Sequence, residues 1–485
     1  MSPPWTTEGR PRALLFRITD DALYVANHGR RFDRRGVISV CRENLSAKAV
    51  RGLGETLDDV SDRKLVDAIR ERRLEVYRID RDQLQEDANH EDETSRDYAG
   101  RSLWELLQNA DDALAPTGTS SADLIGAKGL GFKSVLEISD RPSIHSGPFN
   151  FGFDAEISKV ALEAIQTDAP RLTFRLPHQI ERDSEAAELL RAGYATIIRL
   201  PFRSTKGRDS ILARLETLDP HFLLLCRHLD TVLVEQQGQQ TMRLSVARQR
   251  GTTLRNSPAT LSIVRGDIAI SSEWRIWSAL ATAPSEQSKS LSAAIAVPFD
   301  NGIAGPAAAE IPVHVFFPTN ETIATRFLVH GSFALTSNRN SIRADDNDHL
   351  VREQLQGLVL QVIRDVPATS VVRLFTDIVR ASKSGRVKRP DRLIQQAIAR
   401  TVTEAEFIPV IGGGSVKPAE CRVWEHELDR VVPRKLGREK KLAVPTLSPV
   451  FDELRSAFEA QPLRPVDYAE ILSRTRALTL DAAVH

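Results

Sequence analysis

The chain has 485 residues, 41% of them hydrophobic, and its 65 basic residues balance 65 acidic ones. This length predicts two to four domains with apolar cores, and the balanced charge argues against nucleic acid or an anionic membrane as the main partner. The three cysteines lie far apart and argue against a disulfide framework or a zinc site. The absence of a signal-peptide pattern and of a long apolar run predicts a cytoplasmic protein with no membrane segment.

The first 200 residues alternate short apolar runs with helical patterns. Residues 13–40 predict a strand pair followed by a helix. The charged range 51–100 has helical spacing in part, and its acidic stretch 86–97 predicts a solvated connection or a helix start. The run RSLWELLQNADDAL (101–114) predicts a strong helix because its apolar residues recur on one face.

A glycine-rich turn at 125–140 comes next, and its second half predicts a helix. Strands are predicted at PSIHS, FNFGFD and TIIRLPF. Beyond them, a helix is predicted over 211–229 among further strands, and the chain is mostly helical from 346 onward. This pattern is typical of the α+β class. The predicted domains are 1–205 for ligand binding, 206–345 as an α+β middle domain and 346–485 as a helical C-terminal domain.

Three polar residues of the 101–114 helix form the first candidate group. Spacings of four and seven place Glu105, Asn109 and Asp112 on one face. A carboxylate there can orient and deprotonate a water molecule, and an amide oxygen can take one site on Mg²⁺. The alternative is an ordinary amphipathic helix with a polar outer face.

The glycine-rich turn forms the second candidate group. Glycines allow the backbone to approach phosphate closely, and Lys128 or Lys133 can add positive charge. The turn is not a Walker A loop, because Phe132 separates Gly131 from Lys133-Ser134. A purely structural turn is the alternative. The glycines concerned are Gly126, Gly129 and Gly131.

Taken together, ExxxNAxDA followed by GxxGxGF resembles the first and third motifs of the GHKL ATPases, whose nucleotide site is the Bergerat fold. The amino-acid sequence of residues 98–146 is similar to that of the sacsin-type, chaperone-like branch of that superfamily. The resemblance implies that Glu105 is the general base, that Asn109 is the magnesium ligand and that the glycine loop lies on the phosphate side. Thr196 resembles the fourth-motif threonine that holds the adenine end; a plain strand threonine is the alternative.

The second GHKL motif is missing from its usual place, because only eleven residues separate Leu114 from Gly126. The block 20–48 looks like that motif, with Asn27 in the adenine-reading position and Gly29 after it. We therefore expect a circularly permuted pocket with the motif order second, first, third, fourth. An N-terminal hairpin that merely resembles the motif is the alternative.

Residues 313–342 resemble the middle domain of chaperone-type members, in which a basic loop residue reaches the γ-phosphate. Arg339 is the matching position, and an exposed structural arginine is the alternative. The tail from 346 onward has basic clusters at 386–390 and 434–441 but no motif that indicates a chemical activity. Such clusters are usually solvated surface.

These features predict a Mg²⁺-dependent, chaperone-like ATPase that binds ATP, hydrolyses it slowly and switches conformation. The resemblance also implies a protein partner or client and dimerisation on ATP, in a role such as protein quality control or bacterial anti-phage defence. Two alternatives stay open. One is a nucleotide-sensing interaction protein without significant turnover, and the other is a DNA-handling ATPase similar to MutL or a type II topoisomerase.

Overall fold

The chain forms two compact units, and each contains both helices and sheet. The first unit consists of Met1–Ala247, Leu261–Ser271 and Ser337–Arg339, and the second unit contains the rest. The predicted α+β class is therefore confirmed. The division into three domains stays a prediction, because compact units are defined by contacts alone. The computed structural model describes residues 12–41, 60–97, 100–116, 131–251, 253–281, 291–336, 339–383, 389–424 and 432–482.

The first unit is built on a mixed sheet. The strand pair predicted at the start of the chain lies in its centre, and all six residues of the second strand, ALYVAN, are buried. Neighbouring strands are antiparallel, except that the first strand runs parallel to the seventh. In spatial order the strands are β8 (Gln239–Arg248), β7 (Thr231–Gln236), β1 (Ala13–Ile18), β2 (Ala22–Asn27), β6 (Thr196–Pro201), β3 (Ser143–Ser146), β4 (Phe149–Gly152) and β5 (His178–Gln179).

The two faces of this sheet carry different residues. Because side chains alternate along a strand, the register that pairs Asn27 with Thr196 puts both on one face. Tyr24 and Ile197 lie on the opposite face, where they pack with Leu189 of a covering helix. That helix is α6 in the following series for the first unit: α1 (Arg34–Cys41), α2 (Asp62–Ile79), α3 (Arg81–Asp97), α4 (Ser102–Ala113), α5 (Ala155–Glu163), α6 (Ser184–Arg191) and α7 (Thr205–Glu216).

The acidic stretch 86–97 differs from its prediction as a solvated connection or helix start, since it lies inside α3. Two of its carboxylates are buried and bonded. Asp87 accepts a hydrogen bond of 2.7 Å from the Tyr77 hydroxyl, and Glu91 accepts backbone N–H groups of Thr173 and Phe174 at 2.7 and 3.1 Å. Hydrogen bonds from residues outside the helix therefore satisfy acidic side chains that composition alone predicts to be exposed to solvent.

The helix predicted over 211–229 is also wrong in its second half. Helix α7 ends at Glu216, and a short 3-10 helix, Pro220–Leu224, follows. The cause is local, because Asp219 accepts the His221 N–H at 3.0 Å and Pro220 takes the first position of the new turn.

The second unit combines strands with helices, and its described residues from 348 onward are mostly helical, as the sequence pattern predicts. Three helices share an apolar core that contains the buried rings of Trp277, Phe327 and Phe375. They are α8 (Asp348–Asp365), α9 (Ala368–Ser382) and α10 (Pro390–Glu404). Strands β9 (Ser257–Arg265) and β10 (Ile268–Ala281) contribute residues to both units. The remaining strands are β11 (Leu291–Asp300), β12 (Ile303–Ala304), β13 (His314–Val315), β14 (Phe317–Pro318), β15 (Leu328–Gly331), β16 (Ile408–Pro409), β17 (Ser415–Val416), β18 (Arg422–Val423) and β19 (Gln461–Pro462).

The C-terminal part of the second unit has short elements around a separate apolar cluster that includes Trp424, Leu436 and Ile471. Among the residues described, no helix combines the length and apolarity needed to cross a membrane. The helices of the second unit are α8 (Asp348–Asp365), α9 (Ala368–Ser382), α10 (Pro390–Glu404), α11 (Arg434–Glu439), α12 (Phe451–Ser456) and α13 (Pro465–Ala482).

Candidate functional site

Helix α4 carries the predicted base, and the helix is buried on most of its sides. Glu105 is 1% exposed, although the spacing alone also allowed a solvated outer face. Its carboxylate accepts hydrogen bonds from Nη1 of Arg339 at 3.0 and 3.4 Å. The same guanidinium nitrogen donates to Oε1 of Gln108 at 2.8 Å. Two residues predicted separately, 234 positions apart, therefore lie in direct contact.

The electrostatic setting of Glu105 is mixed. Burial raises the pKa of its carboxyl above the ordinary value of 4.5, because the ionised form loses solvation. The positive charges of Arg339 and Arg101 oppose that change. The carboxyl therefore holds its proton more tightly than an exposed glutamate does.

Arg339 belongs to the first unit, and its backbone has an unusual conformation. Its φ angle is +52°, in the left-handed region that residues other than glycine adopt at some energetic cost. Its carbonyl oxygen accepts a hydrogen bond of 2.8 Å from Nη1 of Arg101. The side chain is 18% exposed, so the alternative of an exposed structural arginine does not describe it.

The other two polar residues predicted on α4 lie further along the helix. Asn109 and Asp112 are both half-buried. The carbonyl oxygen of Asp112 accepts a hydrogen bond from Arg30 at 3.2 Å. A seven-residue step along an α-helix is about 10 Å, so Glu105 lies near the N-terminal end of α4 and Asp112 near its C-terminal end.

The strand residues predicted for the adenine end lie side by side. Asn27 and Thr196 are direct partners on adjacent strands, and they are 7% and 2% exposed. Oδ1 of Asn27 accepts the backbone N–H of Gly29 at 3.0 Å, and Oγ1 of Thr196 lies 2.7 Å from Oγ of Ser146. Ser146 was not selected as a site residue from the sequence, because only the pairing of its strand with β6 brings it opposite Thr196.

Gly29 has a packing role that explains why a glycine stands there. A Cβ atom at this position would lie 2.6 Å from the carbonyl carbon and oxygen of Ala113, the last residue of α4. The next residue, Arg30, donates its backbone N–H to that same carbonyl at 2.7 Å. The strand that carries Asn27 is thereby joined to the end of the helix that carries Glu105.

The described part of the glycine-rich turn begins at a short 3-10 helix, Gly131–Glu137, in place of the predicted helix. Phe132 is buried and packs edge-on against Phe174, with ring centroids 5.5 Å apart. Lys133 is 4% exposed, and burial together with the Arg175 guanidinium lowers the pKa of its ammonium to about 6. Gly126, Lys128 and Gly129 lie outside the described residues.

Sequence reasoning missed three functional or structural neighbours on α4 or at its N-cap. Arg101 at the N-cap and Gln108 on the helix lie on the same side as Glu105, at spacings of four and three. Asp111, which is fully buried, accepts the backbone N–H groups of 227–229 at 2.7 to 3.3 Å. The face through 101, 105 and 108 was a readable signal, whereas nothing in the sequence links Asp111 to that distant turn.

A cavity of about 620 Å³ lies on the other face of the first unit's sheet. His145 and Arg199 line it, and by register they point away from Asn27 and Thr196. Arg199 is already bound to Asp21 and Asp183, each at 2.8 Å. This cavity contains no residue that the sequence analysis selected. Within the described ranges, no cluster of three or more His, Cys, Asp or Glu side chains is arranged to hold a metal ion.

Comparison with known proteins adds one similarity. No family model matches the chain. Over 265 residues it is 28% identical to the protein NO VEIN of Arabidopsis thaliana, a match that covers 51% of this chain and 9% of that protein. The chain thus spans less than a tenth of its relative's length, and this similarity assigns neither a family nor an activity.

Proposed function

We propose that the first unit is a GHKL-type, chaperone-like ATPase that binds Mg·ATP and hydrolyses it slowly. One observation carries the proposal. Helix α4 brings a buried carboxylate, Glu105, beside the Arg339 guanidinium at one end, and at its other end it meets the strand that bears Asn27. The proposed base lies on this helix, and the proposed cation for phosphate and adenine-reading amide lie beside its two ends.

The hydrolysis assigned to this site uses few protein groups. Glu105 accepts a proton from a water molecule as the water oxygen attacks the γ-phosphorus. The bond between the γ-phosphorus and the bridging oxygen breaks, and ADP leaves with that electron pair. Arg339 neutralises charge that develops on the γ-phosphoryl oxygens. No covalent phosphoenzyme is required, because water is the nucleophile.

Asn109 suits the magnesium ion that such a reaction needs. Its amide oxygen is a hard ligand, and it is half-buried one turn beyond Glu105 on α4. Mg²⁺ takes one or two protein ligands and completes its shell with water and phosphate, so a single amide fits its preference. Magnesium would supply charge neutralisation for the β- and γ-phosphates.

A Bergerat-type pocket with a permuted motif order is part of the proposal. Its support is the cross-strand pairing of Asn27 with Thr196, which brings residues of the second and fourth motif positions together. Since chemistry depends on spatial neighbours more than on chain order, a permuted chain can build the same site. A protein client and dimerisation on ATP also belong to this proposal.

A nucleotide sensor without useful turnover is the second candidate. The observation that favours it is the engagement of Glu105 by Arg339, because a carboxylate bonded to a guanidinium is not free to accept a proton. Measured turnover decides between the two candidates.

The adenine end of the proposal is tested with Asn27→Ala. We expect this variant to bind ATP about tenfold more weakly, since one buried hydrogen bond is lost, and to bind inorganic tripolyphosphate as the wild type does. Isothermal calorimetry measures both affinities. Asn27→Asp is the matched control, because it keeps the acceptor that Gly29 uses. Equal weakening of both ligands, or of neither, would remove Asn27 from the adenine site.

A further inference from the structure

Three residues hold Arg339 in place, namely Arg101 at the N-cap of α4 and two residues on the helix itself. Arg101 donates to its carbonyl oxygen at 2.8 Å, while Glu105 and Gln108 accept its Nη1 at 3.0 and 2.8 Å. The N-cap position 101 and the helix positions 105 and 108 follow one another at spacings of four and three, so they lie along one side of α4. We call these three residues the Arg339 clamp.

The clamp acts at both the backbone and the side chain of Arg339. Hydrogen bonds to a charged guanidinium are stronger than neutral ones, especially where solvent is excluded. Glu105 is 1% and Gln108 4% exposed, so both acceptors are shielded from water. The left-handed backbone at Arg339, with φ of +52°, also persists only if its surroundings hold it.

The clamp has a consequence for ligand choice. The proposed function assigns the Arg339 guanidinium to the γ-phosphate, and Nη1 of that group already has two protein acceptors. A triphosphate that takes its hydrogen bonds from Nη1 must therefore displace this nitrogen from Glu105 and Gln108, whereas a diphosphate has no γ-phosphate to compete for it. Once displaced, Arg339 leaves Glu105 able to accept a proton.

We propose that Gln108 is a positioning residue that holds Arg339 on Glu105 in the resting protein and thereby sets the preference between ATP and ADP. This inference rests on the proposed function. Gln108 supplies a neutral amide oxygen, so it takes no part in proton transfer. Its contribution is to raise the cost of releasing Arg339, and hence to weaken triphosphate binding selectively.

The test is the ratio of two affinities in Gln108→Leu. Removing the amide oxygen deletes one charge-assisted hydrogen bond to Arg339, so we expect AMP-PNP to bind about tenfold more tightly than to the wild type. The affinity for ADP should stay within about twofold, since ADP does not engage Arg339. Calorimetry in the presence of Mg²⁺ measures both ligands on the full chain.

Gln85→Leu is the matched control, because Gln85 is an exposed glutamine on α3 whose amide donates to Asn89 of the same helix at 3.0 Å. It should change neither affinity. If Gln108→Leu does not fold, Gln108→Met offers an unbranched side chain of similar length. An unchanged ratio of AMP-PNP to ADP affinity, with wild-type binding intact, would overturn the clamp alone. A wild type that binds no nucleotide would overturn the proposed function and the clamp together.

Discussion

Two buried carboxylates on one helix, Glu105 and Asp111, are held in opposite ways. Glu105 is bonded to the side chain of Arg339, whose guanidinium is its ion-pair partner. Asp111 accepts the backbone N–H groups of Arg227, His228 and Leu229 at 3.3, 2.8 and 2.7 Å. Both are nearly inaccessible, at 1% and 0% exposure, so burial alone does not distinguish them.

The two carboxylates differ in whether their hydrogen-bond partners can be exchanged. Backbone N–H groups are fixed by the fold, and a carboxylate that satisfies three of them is part of the structure. A guanidinium at the end of a long side chain can change partners without unfolding anything. The buried carboxylate with an exchangeable partner is therefore the candidate for chemistry, and the one with fixed partners anchors the helix.

The largest expected effect on stability comes from Asp111→Ala. It leaves three backbone donors at 227–229 without their acceptor, which should lower the free energy of unfolding by about 3 kcal/mol. Urea denaturation measures the change. Asp92→Ala, at an exposed residue of α3 paired loosely with Arg96 at 3.8 Å, should cost well under about 1 kcal/mol. A small loss in Asp111→Ala would show that its contacts are as replaceable as those of Glu105.

Much of the local structure followed from the sequence. Helix α4 and strands β3, β4 and β6 were predicted because period-3.6 and period-2 patterns are local properties. The acidic stretch 86–97 was not, because Glu91 is satisfied by backbone groups at 173 and 174, 82 and 83 residues away. Composition reports the solvation of a segment but not its distant partners.

The residues of the candidate site were selected from motifs, but the contacts between them were not predictable from the sequence. Glu105, Asn27, Thr196 and Arg339 were selected from motifs, yet the pairing of Glu105 with Arg339 joins positions 234 apart. Gln108 was missed because the polar face was traced through Asn109 and not through Arg101. The sequence predicts which residues share a face of a helix, but only the fold determines which face another part of the chain contacts.

A smaller effect on stability is expected from pH, and it tests whether Glu105 and Asp111 differ. The raised pKa of Glu105 means that the folded protein binds this proton more tightly than the unfolded chain, whose carboxyl titrates near 4.5. The contribution of Glu105 to stability therefore falls as pH rises from 4.5 through the folded-state pKa. Glu105→Gln lacks this titration, so its stability relative to wild type should increase over that interval.

Urea denaturation of both proteins between about pH 4 and pH 8 measures this difference. A relative stability that decreases with pH would mean that the Arg339 and Arg101 charges outweigh burial. In that case Glu105 would be an anchored carboxylate, as Asp111 is.

The most direct measurement is Mg²⁺-dependent phosphate release from ATP by the wild type and by Glu105→Gln, with ATP affinity measured on both. Glu86→Gln, at an exposed glutamate of α3, is the matched control. We predict that the wild type turns over, and that Glu105→Gln binds ATP but hydrolyses it 10²- to 10⁴-fold more slowly, roughly the contribution of a general base. Equal rates in the two proteins, or no ATP binding by the wild type, would contradict the account.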